Sequence, residues 1–444
     1  MHNDQAVVWH SLLGNPQIIS SDTLEFLKTF DTPRLLESLG EEFGLDDDGL
    51  AVVQTLRDAS LLVPPEQDER GLIEALAKIR EQTIPGGNLL NYLELIVSEK
   101  CNFRCTYCIH FNNLEADRKG NGRNGKMDWD TAKRALDWYF TLLPDGREAN
   151  VNFGGGEPLL NWPLILQSLE YCAKTFPLRK TSFSINTNAS LITPEIAQTL
   201  RLYRVSIATS LDGIQQGNDK VRLTAGGKGT FLSVVRGFDI LAKAGYPIDG
   251  FSATVDRRNF GDLNESLIDW AISHGMVEVR IDIDVLDLEG ISVDEAVSKI
   301  LRLRAYGKNK NVDVFGFWSR PFENFNFNPT NEHVAFCGGV RGNSVCINPQ
   351  GNAFICGYSR TVLGNIKEPQ QILAPGSPYA TIVASRLVGR PKECAGCPIE
   401  GQCAGACEIS REFSEAIGRD QNRRCEFYRT MTKKLLEENL DPDR

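Results

Sequence analysis

Residues 93–108 read Leu-Glu-Leu-Ile-Val-Ser-Glu-Lys-Cys-Asn-Phe-Arg-Cys-Thr-Tyr-Cys, a short apolar strand pattern that runs directly into three closely spaced cysteines. The three thiolates, on Cys101, Cys105 and Cys108, lie within eight residues and can bind one metal centre. Iron–sulfur clusters are normally held by four cysteine thiolates, so a local set of three leaves one iron open for a substrate or cofactor. Zinc sites usually use two Cys-x-x-Cys pairs or a histidine pair, and this stretch has neither arrangement.

Composition excludes several classes of function. The 444 residues are 41% hydrophobic and 24% charged, which is typical of a globular protein. A net charge of −10 without a basic tail or stripe argues against nucleic-acid binding. No apolar run has the length of a membrane span, and the first residues lack the basic and apolar regions of a secretory signal. We therefore expect a cytoplasmic protein without a membrane partner.

The twelve cysteines are strongly clustered. Three lie within residues 101–108, eight lie within residues 337–425, and Cys172 stands alone. Cytoplasmic proteins keep their thiols reduced, so clustered cysteines in such a protein indicate metal ligands more than disulfides.

Strand and helix patterns alternate between residues 90 and 290, which indicates parallel strands joined by right-handed crossovers. The predicted strands are 93–98, 149–153, 181–186, 205–210, 250–255 and 278–285. The predicted helices are 128–143, 162–176, 194–202, 230–244 and 263–274. Six such units predict an α/β fold, a partial (β/α)6 TIM-like barrel, whose chemistry lies at the C-terminal ends of the strands.

The remaining segments predict three further units. Residues 1–85 contain two short strands, 7–10 and 17–20, and three helical patterns, 23–29, 35–43 and 50–60, which favour a small winged-helix-like domain. Residues 61–63 are expected to be a short strand or chain exit, and residues 66–82 a helical linker. The barrel is expected over residues 92–300 and a bridge over 301–336. One more helix is predicted over residues 292–306, and the aromatic, asparagine-rich residues 309–330 are expected to be an ordered loop or bridge. Residues 337–444 are rich in glycine and cysteine with little periodicity, so we expect them to need metal in place of a conventional core.

The cysteine motif and the sequence that follows it resemble the radical S-adenosylmethionine (SAM) superfamily. The motif is C-x3-C-x2-C with an aromatic residue before the last cysteine, and residues 154–158, Gly-Gly-Gly-Glu-Pro, follow the second strand. The resemblance implies a 4Fe–4S cluster on the three cysteines, reductive cleavage of SAM, and a 5′-deoxyadenosyl radical that abstracts hydrogen from the substrate. It implies SAM contacts from Tyr107, Gly155, Gly156, Glu157, Asn186, Asn188, Ser210 and Arg222, with Arg222 suited to the carboxylate because its planar fork donates in pairs.

The eight later cysteines resemble the SPASM extension of radical SAM enzymes, although two zinc ribbons have similar spacing. The resemblance implies two auxiliary 4Fe–4S clusters and therefore three clusters in total. One would be held by Cys337, Cys346, Cys356 and Cys407, and the other by Cys394, Cys397, Cys403 and Cys425.

The N-terminal unit resembles the peptide-recognition element of enzymes that modify ribosomally made peptides. In that element a leader peptide adds a strand to a sheet edge. A packing or dimerisation domain is the alternative.

From these resemblances we expect a maturase that forms a thioether or carbon–carbon cross-link in a precursor peptide, with flavodoxin or ferredoxin as electron donor. Backbone excision, epimerisation and a sulfatase-maturase-like protein oxidation are the alternatives. Sulfatase-maturing enzymes carry an Asp immediately after the third SPASM cysteine, where this chain has Gly357. The candidate replacement bases are Asp282, Asp284 and Asp287, and structural ion pairs are an equally good account of them.

Overall fold

The computed structural model describes residues 4–35, 38, 40, 42, 44, 46–108, 125–326, 335–387, 389–416 and 421–439. The strands are β1 (Gln5–His10), β2 (Gly14–Ser20), β3 (Tyr92–Ser98), β4 (Ala149–Gly155), β5 (Thr181–Asn186), β6 (Ser206–Ala208), β7 (Gly250–Val255), β8 (Glu278–Ile283), β9 (Asp313–Phe315), β10 (Ser344–Ile347), β11 (Asn352–Phe354) and β12 (Gly364–Asn365). The helices are α1 (Ser21–Lys28), α2 (Asp47–Asp58), α3 (Glu69–Thr83), α4 (Trp129–Leu142), α5 (Trp162–Thr175), α6 (Pro194–Leu202), α7 (Gln215–Val221), α8 (Phe231–Lys243), α9 (Ser266–Ser273), α10 (Val293–Asn309), α11 (Arg320–Glu323), α12 (Gly338–Arg341), α13 (Pro378–Ser385), α14 (Glu400–Cys403), α15 (Glu408–Ala416) and α16 (Asn422–Asn439).

The central unit is a curved arrangement of parallel strands with helices on its outer side. Strands β3, β4, β5 and β6 pair in parallel and in chain order, and β7, β8 and β9 form a second parallel sheet. A parallel bridge between Ser210 and Ser252 joins the two sheets at β6 and β7. All six predicted barrel strands are present in this order, so the predicted partial barrel is confirmed.

Successive side chains of each barrel strand point alternately toward the surrounding helices and toward the lumen of the barrel. On β3, Leu93, Leu95 and Val97 are fully buried in the main core. Glu94 and Ile96 lie on the opposite face, as successive side chains of a strand must. Strand β10 pairs in parallel with β3, so five neighbouring strands run side by side from β10 to β6. The pairing registers place one residue of each strand in a row across the sheet: Cys346, Glu94, Asn152, Ser184 and Ser206.

The bridge region was predicted as a loop, and this prediction was wrong for its described part. Residues Asp313–Phe315 form β9, which adds a strand to the barrel beside β8, and Arg320–Glu323 form the short helix α11. The predicted boundary at residue 300 falls inside α10. Three residues are too few for an alternating pattern to be detected in the sequence. The strand is stabilised by its pairing with β8 in the sheet.

The C-terminal region contains more regular structure than its composition suggested. Helix α16 is 18 residues long and buries Phe427, Tyr428 and Met431. It packs against α10, so this region shares an apolar core with the barrel instead of building a separate one. The expectation that residues 337–444 lack a conventional core is therefore corrected.

The N-terminal unit begins with the β1–β2 hairpin, followed by α1 and α2. A small separate core of Phe26, Val53 and Leu56 holds these elements together. The predicted helix over residues 35–43 lies largely outside the described residues, and residues 61–63, expected as a short strand or chain exit, form no strand. The linker helix predicted over residues 66–82 corresponds to α3.

The tip of the hairpin inserts into the C-terminal cysteine-rich region. The backbone N–H of Gly401 donates to the Ser11 carbonyl oxygen at 2.8 Å, and the Trp9 indole N–H donates to the Pro398 carbonyl oxygen at 2.6 Å. Arg70 on α3 donates to both carboxylate oxygens of Glu400, at 3.0 and 2.9 Å, and Glu400 is 1% exposed. Such bidentate, charge-assisted pairs add geometric specificity as well as energy.

Within the described part of the chain, none of the helices combines the length and apolarity that crossing a membrane would require.

The contact at Gly401 yields a stability prediction. A Cβ atom at residue 401 would lie 1.8 Å from the Leu12 carbonyl oxygen, so the Gly401→Ala change must separate the hairpin from the loop that follows Cys397. We expect the thermal unfolding midpoint to fall, by the equivalent of about 1–3 kcal/mol typical of overpacking, and residues 5–20 to become more sensitive to protease. Gly261→Ala is the matched control, because a Cβ there meets no atom within 4 Å. Equal midpoints and cleavage rates for the two variants would contradict the docking.

Candidate active site

The first cysteine set lies in the loop that leaves the C-terminal end of β3. Burial, with a contribution from the neighbouring Cys108, raises the pKa of Cys101 to about 12 and that of Cys105 to about 11. The three thiols are therefore close enough to interact electrostatically. Burying several thiolates without a metal is unfavourable, so their proximity fits a site that a metal centre completes.

Hydrogen-bond donors point at the sulfur of Cys101. The backbone N–H of Phe103 donates to it at 3.3 Å, and the Asn188 side-chain amide lies at 3.9 Å. The same amide donates to Asn102 Oδ1 at 2.9 Å, and the side chain of Ser190 donates to Asn188 Oδ1 at 2.7 Å. Donors to the sulfur atoms are one of the ways in which a protein tunes an iron–sulfur cluster. Asn188, expected to contact SAM, is thus also a neighbour of the cysteine set.

The cysteine loop is fixed to the segment that follows α7. The N–H of Arg104 donates to the Leu223 carbonyl oxygen at 2.6 Å, and that of Thr106 to the Val221 carbonyl oxygen at 2.9 Å. Helix α7 was not predicted from the sequence, because its residues are mostly polar and show no helical spacing of apolar residues. The helix ends directly before Arg222 and so places that residue beside the cysteine loop.

Arg222 lies in a buried network with Tyr107 and Asp212. Its Nη1 donates to the Tyr107 hydroxyl at 2.8 Å and lies 3.5 Å from Asp212 Oδ2, while the Tyr107 hydroxyl donates to that same oxygen. Asp212 is oriented by the Thr254 N–H, which donates to Oδ1 at 2.9 Å. The buried Nε of Arg222 has no hydrogen-bond partner among the described residues. A donor left unpaired beside the cysteine loop fits an anionic ligand group such as the carboxylate of SAM.

The Gly-Gly-Glu segment crosses beneath the cysteine loop. The N–H groups of Gly156 and Glu157 donate to the carbonyl oxygens of Ser98 and Lys100, at 2.8 and 2.9 Å. Gly155 has φ +124°, and a Cβ there would lie 2.2 Å from the Ser98 carbonyl oxygen. Only glycine fits such an approach. The N–H groups of residues 156 and 157 are already paired with protein carbonyls. A ligand amino group donates hydrogen bonds, and carbonyl oxygens of this segment would accept them.

Glu157 is fully buried and its carboxylate is satisfied by protein donors. It accepts hydrogen bonds from the Leu159 N–H at 3.0 Å, the Thr187 hydroxyl at 2.7 Å and the Asn188 N–H at 2.7 Å. Glu157 therefore ties the end of β4 to the end of β5. Asn186, by contrast, is exposed on the lumen side at the end of β5, and Ser210 is partly exposed beside β7.

The second cysteine set forms against the barrel. Burial raises the pKa of both Cys356 and Cys407, and Cys337 raises the two pKa values further. Cys346 on β10 is 1% exposed, and its thiol hydrogen-bonds to Glu94, which also interacts electrostatically with Cys356. Electrostatic interactions thus link Cys337, Cys356 and Cys407, and Glu94 interacts with both Cys346 and Cys356. These are the four cysteines that the family resemblance assigns to one auxiliary cluster.

The third set gathers around Cys403. Burial, with contributions from Cys394, Cys425 and Cys397, raises the pKa of Cys403 to about 12. The connection from this set to Cys407 passes through three consecutive residues with positive φ: Ala404 (44°), Gly405 (76°) and Ala406 (62°). Left-handed alanines are strained.

Buried Arg386 supports that strained connection. It donates to the Gly405 and Ala406 carbonyl oxygens at 3.0 and 3.2 Å, and pairs with Glu408 at 2.9 Å. Strain that is maintained by such a buried charge network is typical of functional sites.

The donor sets fit iron–sulfur clusters in number and chemistry: three thiols in one set and four in each of the others. Within the ranges described, no three His, Cys, Asp or Glu side chains converge closely enough to hold a single metal ion. A cluster distributes its thiolate ligands over several irons. Cys172 belongs to none of the sets and is buried in the main core between the helices and the sheet.

The carboxylates proposed as replacement bases are engaged with protein partners. Asp282 pairs with Arg280 at 2.8 Å and accepts the Phe317 N–H at 2.8 Å. Asp284 caps the following turn by accepting from the Leu286 N–H at 3.2 Å, and Asp287 lies 3.6 Å from Arg258.

The sequence reasoning missed Glu94, which lies on the lumen face of β3 beside the second cysteine set. Burial raises the pKa of its carboxyl group. One signal could have found it: Glu94 is the only charged residue within an otherwise largely apolar predicted strand, residues 93–98.

Comparison with known proteins agrees with this geometry. The Radical SAM superfamily model matches residues 95–267. The radical SAM cyclopropyl synthase TigE of Paramaledivibacter caminithermalis is 25% identical, and the alignment covers 97% of this chain and 92% of TigE.

Two solved structures share the fold. Native anSMEcpe with bound AdoMet has a TM-score of 0.62 at 17% identity, covering 78% of this chain and 97% of anSMEcpe. Streptococcus suis SuiB bound to the precursor peptide SuiA has a TM-score of 0.53 at 15% identity, covering 91% of this chain and 94% of SuiB. The family match shows that residues 95–267 of this chain form a Radical SAM domain, in the part of the barrel that carries the cysteine loop and the Gly-Gly-Glu segment.

Proposed function

We propose that this enzyme modifies a ribosomally synthesised precursor peptide by forming an intramolecular carbon–carbon or thioether cross-link. The observation that carries the proposal is the relationship to TigE, which extends over 97% of the chain, N-terminal unit and cysteine-rich region included. The fold likeness to SuiB, solved with its precursor peptide SuiA, spans 91% of the chain and supports the same substrate class.

The residues of the barrel end would bind and orient the cofactors. A 4Fe–4S cluster and SAM, when bound, supply the electron and the 5′-deoxyadenosyl group needed for hydrogen abstraction. Cys101, Cys105 and Cys108 would hold the cluster. Arg222 offers its unpaired Nε to the SAM carboxylate, and the exposed Asn186 suits the ribose.

The eight C-terminal cysteines would hold two auxiliary clusters. Forming a cross-link removes two hydrogen atoms from the peptide, so after the first abstraction one electron and one proton must still leave the substrate. One of these cysteines, Cys346, lies opposite Glu94 of the barrel strand β3. A flavodoxin or ferredoxin is our proposed donor for reducing the first cluster.

The hairpin of the N-terminal unit provides a docking edge for a leader peptide. Strands β1 and β2 form a two-stranded sheet among the described residues, and a peptide can add a strand to such an edge through backbone hydrogen bonds. The hairpin tip contacts the loop after Cys397, which would connect leader binding to the catalytic body of the enzyme.

Among the bond types, the name of the full-length relative favours carbon–carbon bond formation, because a cyclopropyl group is a carbon ring. Excision and epimerisation remain the alternatives for a peptide substrate. A sulfatase-maturase-like oxidation is disfavoured by Gly357, which has no carboxylate.

Mass spectrometry of a short precursor peptide encoded next to the gene tests the function. The peptide is co-expressed with the wild-type enzyme or with the Cys105→Ala variant. We expect a loss of two hydrogens per modification with the wild-type enzyme only, and thiol alkylation then separates a thioether, which consumes a cysteine, from a carbon–carbon bond. A larger loss indicates excision, and deuterium uptake in D2O without a net loss indicates epimerisation. An unmodified peptide, from enzyme that carries its cluster and cleaves SAM, would refute the peptide assignment.

Iron content tests the three cysteine sets. We expect Cys356→Ala, and separately Cys403→Ala, to lose about one third of the bound iron after anaerobic reconstitution, because each set would hold one of three similar clusters. Cys172→Ala should retain all of it, since Cys172 lies in the apolar core. Iron and sulfide analysis with electron paramagnetic resonance provides the measurement. Zinc in place of iron in the later sets would instead establish zinc ribbons.

A further inference from the structure

Glu94 lies on the lumen face of β3, beside the second cysteine set, and is partly exposed. Tyr358, the second residue after Cys356, has 47% of its surface accessible. Burial, and then Glu94, Cys356 and Cys108, raise the pKa of its hydroxyl, so this side chain is close enough to the first and second cysteine sets to interact with both. We call the accessible space beside Glu94 and Tyr358 the recess.

The contacts of Glu94 leave acceptor capacity on its carboxylate. The backbone N–H of Gly357 and the thiol of Cys346 donate to it, and Asn152 Nδ2 lies 3.4 Å from Oε1. No Lys or Arg of the described ranges forms an ion pair with it. A carboxylate has about four acceptor sites, and the bond from Cys346 disappears once that thiol has lost its proton to bind metal. Acceptor sites therefore remain for a donor entering the recess.

Two glycines make room for this carboxylate. A Cβ at Gly154 would lie 2.3 Å from Glu94 Oε1, and a Cβ at Gly357 would lie 3.0 Å from each carboxylate oxygen. The φ of Gly154 and Gly357 does not fall in the left-handed region, so the neighbouring carboxylate, rather than the backbone, favours glycine at these positions. Residue 357 is also the one that directly follows Cys356. Glu94 thus projects from β3 into the space that a side chain at residue 357 would otherwise fill.

We propose that Glu94 is the substrate-contacting carboxylate of this enzyme, accepting a hydrogen bond from an N–H, O–H or S–H group of the peptide residue that reacts. The proposal rests on the proposed function. Sulfatase-maturing enzymes carry a carboxylate directly after the third SPASM cysteine. In this enzyme the proposal places the corresponding carboxylate on β3 instead. In this position Glu94 holds the reacting residue between Cys108 and Cys356, with Tyr358 as the neighbouring wall.

The test compares Glu94→Gln, Glu94→Ala and the double variant Glu94→Ala/Gly357→Asp, with the surface change Glu170→Gln as control. Peptide turnover, 5′-deoxyadenosine release and iron content are measured on each. We expect both single Glu94 variants to lose about ten- to hundredfold in kcat/KM, the effect of one hydrogen bond to a charged group. Iron content and peptide-free SAM cleavage should stay at wild-type levels, and 5′-deoxyadenosine per modified peptide should rise. The double variant should recover several-fold, because Asp at residue 357 returns a carboxylate to the vacated space.

The outcomes distinguish this proposal from the proposed function. Suppose that the wild-type enzyme modifies the peptide, and that both Glu94 variants release as little 5′-deoxyadenosine per modified peptide as the Glu170→Gln control. Glu94 then has no substrate contact. The proposal is also overturned if activity falls only in proportion to lost iron, or if the double variant recovers nothing beyond Glu94→Ala. If the wild-type enzyme modifies no peptide, both proposals fall.

Discussion

The pairing of β10 with β3 is the contact on which the arrangement of the site depends. Four residues of β10 lie in parallel register with the first barrel strand, from Ser344 opposite Tyr92 to Ile347 opposite Leu95. Through this ladder a cysteine-rich segment some 250 positions later in the chain becomes part of the barrel wall. The same register sets Cys346 beside Glu94, so that a member of the second cysteine set lies at the first barrel strand.

The second constraint is the cost of burying thiols. Cys101, Cys105, Cys356, Cys403 and Cys407 all have pKa values raised by burial. Each thiol must lose its proton to bind metal, and that loss is unfavourable in an apolar surrounding unless the metal compensates it. Donors to Cys101 and the Arg386 network around residues 404–406 reduce part of that cost in advance. Binding of metal by these thiols would therefore be thermodynamically linked to folding of the segments that carry them.

Much of this organisation could be predicted from the sequence, and the failures have physical causes. The barrel strands were predictable because apolar residues such as Leu93, Leu95 and Val97 alternate with lumen residues. The spacing of the cysteines indicated metal ligands, while their division into sets came from the family resemblance and stays a prediction. Strand β9 and helix α7 could not be predicted. A strand of three residues is too short to show alternation of apolar and polar residues, and a polar helix of seven residues is stabilised by its neighbours. The role of Glu94 depended on a juxtaposition with Gly357, 263 positions away, that no local pattern encodes.

The docked hairpin tip has a consequence for how such enzymes diversify. Gly14 and Gly401 each lie against a backbone carbonyl of the other side of the interface, Phe325 and Leu12 respectively, with no room for a side chain. The N-terminal unit is therefore fitted to this particular body and is not an interchangeable adaptor. A chimaera that exchanges only residues 1–85 to acquire another leader specificity would break that fit. Recombination between relatives would have to carry the hairpin and residues 398–402 together, which makes the pair one unit of inheritance.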